Sequence, residues 1–147
     1  MISFSWTLTV TPAPATTVQP TATQAAGAAA ARDFALGPDD DLLLVEGDLV
    51  MLTGAEGVAS DIRARLQTLT GDYFRDTSLG LPREQILGVK FNKGRSEELY
   101  RTAVRETPGV ATVESLVASF ADRTLDVRLR VTTDFGDVIE AAFQGAL

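Results

Sequence analysis

The chain has 147 residues and 33 of them are charged, yet none of those charges falls within residues 1–31, which also hold three of the six prolines. A uniform domain starting at the first residue is therefore excluded, and about 116 residues remain, enough for one core but not comfortably for two. A net charge of −7 argues against a protein that coats nucleic acid or an anionic membrane surface, since both need clustered Lys and Arg.

The absence of Cys and His removes further chemistry. Zinc sites, haem ligation through these residues, thiol nucleophiles and His-based triads are excluded, and no cofactor or metal is expected. Disulfides are excluded too, so packing alone must hold the fold. No stretch approaches the roughly 20 apolar residues of a membrane span.

Residues 2–11 alternate strictly, with Ile2, Phe4, Trp6, Leu8 and Val10 on one face and Ser or Thr on the other. Period two with aromatic and β-branched residues predicts a half-buried strand. Pro12, Pro14 and Pro20 and the alanine-rich run of residues 24–31 cannot continue it and read as a tether. Two readings stand side by side. The strand is an arm that adds to a neighbouring subunit's sheet, or it folds back onto its own domain. A secretory signal fits poorly, because the leader has no basic start and no unbroken apolar run.

In the charged part, residues 42–45 and 49–52 flank Glu46-Gly47-Asp48 and predict a β-hairpin. Asp39, Asp40 and Asp41 before it lack the alternation of a calcium loop and read as a solvated turn. Thr53-Gly54-Ala55-Glu56 has capping-box spacing, and Val58, Ile62, Leu66 and Leu69 then recur on one helical face until Gly71. Residues 72–94 read as irregular, with Pro82 opening a short helical turn through Leu87. The two lysines, Lys90 and Lys93, fall here, and Phe91-Asn92-Lys93-Gly94 lacks the glycine spacing of a phosphate loop.

A second helix is predicted over residues 96–106, with Glu97 and Glu98 at its positive end and Leu99, Ala103 and Val104 inward, stopped by Pro108-Gly109. Then come strands over residues 113–121 and 125–132, the latter with Leu125, Val127, Leu129 and Val131 alternating against Asp126, Arg128, Arg130 and Thr132. Residues 138–143 predict a last strand. Strands and helices are segregated along the chain, so the expected class is α+β. Arg128 and Arg130 either blunt a sheet edge or mark a docking edge for an acidic partner.

Catalysis without His or Cys would rest on carboxylates. Glu84, Glu98, Glu106 and Glu114 are candidates for a small glycan hydrolase of the tail-lysozyme kind, but no spacing selects a pair, and no enzyme is expected.

Several segments in order carry a likeness to a known family: Gly71-Asp72-Tyr73-Phe74 after a helix, Leu79-Gly80-Leu81-Pro82, Ile86-Leu87-Gly88, then Glu106-Thr107-Pro108-Gly109-Val110, and a hairpin closing at Asp134-Phe135-Gly136. Over roughly residues 40–138, the chain resembles the small baseplate wedge proteins of contractile-tailed phages, which also serve as sheath initiators in contractile injection systems. The resemblance implies a non-enzymatic α+β domain of the virion tail baseplate, assembled in the host cytoplasm. It implies six copies around the tail tube, touching larger wedge subunits, tube-proximal proteins and the sheath, with a sheet to which the first sheath ring docks by strand exchange. Many members carry a Glu-Pro-Arg motif at the end of the second helix. Glu106 and Pro108 match it as a wedge contact, and its arginine is absent here. The leader lies outside the resemblance, which gives a division into an arm (residues 1–31) and a domain (residues 32–147).

Overall fold

The computed structural model describes residues 4–12, 32–37, 41–86 and 90–146. The expectations placed on Ile2, Asp39, Asp40, Leu87, Gly88 and most of the tether lie outside the described residues.

The alternating segments form one antiparallel sheet of four strands in the order β1-β8-β7-β6, built from β1 (Phe4–Thr11), β6 (Val110–Ala121), β7 (Thr124–Thr133) and β8 (Val138–Ala146). On β7, Leu125, Val127, Leu129 and Val131 are buried, and the polar residues between them face outward, as period two requires. Asp122 and Arg123 turn β6 into β7 with both residues left-handed (φ 49° and 63°), the geometry whose twist matches a tight hairpin.

Two helices cover the inner face. Helix α1 (Ala55–Gln67) contributes Val58, Ile62 and Leu66, and α2 (Lys93–Arg105) contributes Tyr100, Ala103 and Val104 to the same core. Burial pushes the Tyr100 hydroxyl up to about 12. Beside this layer lie two small ribbons. One pairs β2 (Arg32–Phe34) with β5 (Met51–Thr53), and the other pairs β3 (Leu44–Val45) with β4 (Asp48–Leu49). The result is the α+β class expected from the segregated elements.

The structure corrects several local expectations. The hairpin around Glu46-Gly47 is present but short, because residues 51–53 turn away to pair with β2. That second pairing also displaces the capping box. Thr53 is the last residue of β5, opposite Arg32, so the cap position falls on Gly54 at φ 62°, with no side-chain cap. Helix α1 stops at Gln67 and not at Gly71, since Leu81 captures the chain in extended form: its N–H donates to the Thr68 carbonyl at 2.9 Å, and the Thr70 N–H donates to its carbonyl at 3.2 Å. Leu69 is consequently half-exposed outside the helical stripe.

The turn after Pro82 is a single 3-10 turn, Arg83–Gln85, and the Arg83 guanidinium bonds the Leu66 carbonyl at the end of α1 at 3.0 Å. Helix α2 starts at Lys93, ahead of the expected Ser96. Asn92 is its cap, Oδ1 accepting from the Arg95 N–H at 3.1 Å. Glu97 and Glu98 therefore lie beyond the first turn, and the helix dipole no longer explains them.

Candidate strand-docking edge

A four-stranded open sheet has two edges, and an edge strand offers a row of backbone donors and acceptors to any chain that can pair with it. Here the edges are β6 and β1, and they are built differently.

The β6 edge is guarded. Its register against β7 shifts twice, between Val110 and Thr112 and between Val113 and Ser115, which breaks the straight ladder a partner needs. Farther along, Oε1 of Glu97 on α2 accepts from the Ala118 N–H at 3.1 Å, filling a backbone donor on the free side of the strand. This is the structural role of Glu97.

The β1 edge has neither device. Its eight residues run in unbroken register with β8, from Phe4 opposite Gly145 to Thr11 opposite Val138. It contains no charged residue, no proline and no register shift, and no described strand lies on its far side. Of the residues expected to pair with a partner, Trp6 and Val10 are half-buried against the core, and Leu8 is 41% exposed. Phe4 holds its place in the backbone register. The Trp6 ring lies 4.9 Å from the Phe143 ring at 42°, and the Trp6 indole N–H is buried without a hydrogen-bond partner among the described residues.

Arg128 and Arg130 do not sit at an edge, contrary to the edge roles read from the sequence. They lie on β7, whose two sides are occupied by β6 and β8, so strand pairing through them is not available. Both face outward from the sheet. Arg130 Nε is 2.8 Å from Glu114 and its Nη1 is 3.2 Å from Glu140, while Arg128 lies 3.4 Å from Asp126. They line a shallow outer-face groove of about 630 Å³ with Thr7, Thr9 and Val117.

Glu106 and Pro108 come together past the end of α2. A guanidinium does stand at Glu106, supplied by Arg65 of α1. Its Nη2 is 3.0 Å from the Glu106 carboxylate, and its Nη1 donates to the Glu106 carbonyl at 3.0 Å. Arg65, Thr107 and Pro108 share a small depression with Asp61 and Leu79. Sequence reading missed Arg65 because the two partners are 41 positions apart and no local pattern links them.

The four glutamates considered for catalysis are all exposed. Glu98 pairs with Arg101, Glu106 with Arg65 and Glu114 with Arg130, an arrangement of surface ion pairs and not of a desolvated acid facing a base. Among the described residues there is no group of three or more acidic side chains able to hold a metal, and no helix is long and apolar enough to cross a membrane.

One carboxyl is raised above its usual range. Burial of Asp61 on α1 is the larger cause, and the charge of Asp33 adds to it. The folded protein thus holds this proton more tightly than the unfolded chain does. The stabilisation it gives is complete below the unfolded value and is lost as pH rises through the folded one. Asp61→Asn is therefore expected to raise the urea midpoint at pH 7 and to leave it nearly unchanged at pH 3. A lower midpoint at pH 7 would assign Asp61 a stabilising ion pair instead.

Compared with known proteins, residues 32–136 match the family model of the contractile injection system sheath initiator. The matched stretch runs from β2 through the turn before β8, so β1 and the whole of β8 lie outside it. No curated protein matches the chain. With most of its length matched and an α+β fold, the chain belongs to the sheath initiators of contractile injection systems.

Proposed function

We propose that this protein is a non-enzymatic subunit of a contractile tail baseplate, and that it starts the sheath by accepting a strand of the first sheath subunits on its β1 edge. The contrast between an unguarded β1 and a bulged, side-chain-capped β6 carries the reading. Strand addition suits a structural joint, since backbone hydrogen bonds give strength and alternate side chains give selectivity. In this reading six copies surround the tube of a phage tail. The face around Glu106, Pro108 and Arg65 meets the larger wedge subunits, and the outward Arg128 and Arg130 face a neighbouring protein. Residues 1–31 act as the arm that brings β1 to the sheet, and residues 32–147 form the adaptor body.

The test uses charge placed on each edge. Leu8 is on the inward side of an edge strand and already partly exposed, so Leu8→Lys is expected to leave the fold intact while blocking an incoming strand. Ser119→Lys on β6 is the control. In baseplates assembled with each variant, electron microscopy should show bare tubes for Leu8→Lys and full sheaths for Ser119→Lys. The reverse pattern would move docking to β6, and full sheaths in both would end the strand-addition reading.

A further inference from the structure

A strand laid along β1 has two faces. On the outer face its side chains fall beside Thr7 and Thr9, which are exposed and make no demand on a partner. On the inner face they fall into a groove of about 440 Å³ between β1 and α1. One wall of this groove is Trp6, Leu8 and Val10, and the other sets Leu36, Leu52 and Ala59 beside Glu56, Ser60 and Arg63 of α1. The groove therefore continues the β1 edge inward, apolar along β1 and mixed along α1.

The Trp6 indole N–H is enclosed there without an acceptor among the described residues. A buried donor left unmade is costly, and native proteins rarely leave one unpartnered. Its place beside an open strand edge gives the vacancy a direction: the acceptor comes with whatever strand completes the sheet.

We propose that this groove is the side-chain pocket for the incoming sheath strand, and that Trp6 selects a strand that places a side-chain oxygen acceptor over the indole. The proposal rests on strand addition at β1 and goes beyond it, from an edge that accepts any extended chain to one that reads a residue type. That oxygen meets an indole donor that has no acceptor among the described residues.

Trp6 is the sole tryptophan, so its fluorescence reports this groove and nothing else. The full chain is titrated with two synthetic nine-residue peptides of alternating Thr and Val, one with Gln and one with Leu at the central inward position. Both are expected to protect Trp6 from acrylamide quenching, and the Gln peptide is expected to bind about ten-fold tighter, as pairing of a buried donor implies. Calorimetry on Trp6→Phe, which keeps a ring but no donor, should show the two peptides binding alike. Leu36→Asp, at a partly exposed wall position, should weaken both.

Equal binding of the two peptides to the unaltered protein, or a Gln preference that survives Trp6→Phe, would overturn selection by Trp6 while leaving strand addition in place. Failure of both peptides to bind, with Trp6 already shielded from acrylamide, would mean that the groove is filled by the chain's own residues and would overturn the proposal. Failure of strand addition itself is read separately, from full sheaths on Leu8→Lys baseplates.

Discussion

Gly109→Ala is expected to destabilise the protein by about 2–4 kcal/mol, combining left-handed backbone strain with overpacking. Gly109 links α2 to β6 at φ 87°, and a Cβ there would lie 2.5 Å from Cγ2 of Val58, a fully buried residue of α1. Neither side can give way easily. The Gly109 carbonyl is held by the Asp134 N–H at 3.0 Å, and Val58 is locked into the first turns of a packed helix. Gly47→Ala separates the two causes. Gly47 has a similar φ of 92° but nothing within 4 Å of the added atom, so its substitution should cost only about 1 kcal/mol. Urea unfolding of both variants checks this, and equal losses would show that the contact with Val58 is not limiting.

Phe143→Ala is expected to cost about 3–5 kcal/mol, the range for removing a buried ring from a core that cannot fully close. Phe143 is 2% exposed on β8, opposite Trp6 on one side and Val127 on the other. Trp6→Ala should cost less, about 1–3 kcal/mol, because Trp6 lies on an edge strand and is only half-buried. In the double variant the losses should fall short of additivity by roughly 1 kcal/mol, the value of a tilted ring pair. The same cycle tests where β1 pairs. Within one chain the coupling is independent of protein concentration, whereas exchange of β1 between chains makes it grow with concentration.

The two long helices and the strands of the main sheet were legible because each repeats its own period. Leu125, Val127, Leu129 and Val131 alternate and are buried, and Val58, Ile62 and Leu66 recur along one face and are buried. Boundaries were read less well where one residue served two elements. Thr53 has the chemistry of a helix cap, but its pairing with Arg32 commits it to a strand first. Asn92 lies in a stretch that reads as loop, and it caps a helix only because its side chain accepts from the Arg95 N–H. For the site, the alternating face of Trp6, Leu8 and Val10 was readable, while Arg128 and Arg130 were assigned to an edge they do not occupy. Nothing local distinguishes an inner strand from an outer one when both alternate.

Composition and periodicity suffice for the class of the domain, the amphipathic faces of its helices and strands, and the exclusion of thiol and imidazole chemistry. They also show that the segment from Phe4 to Thr11 carries no charge along its whole length. Long-range packing alone sets β8 between β1 and β7, brings Glu97 to the Ala118 N–H on the β6 edge and Arg65 to Glu106, and encloses the Trp6 indole with no acceptor among the described residues. The difference is one of range. Side-chain periodicity is fixed by neighbours a few residues apart, whereas strand order and edge protection depend on pairings between distant segments, settled by which apolar faces can be buried together.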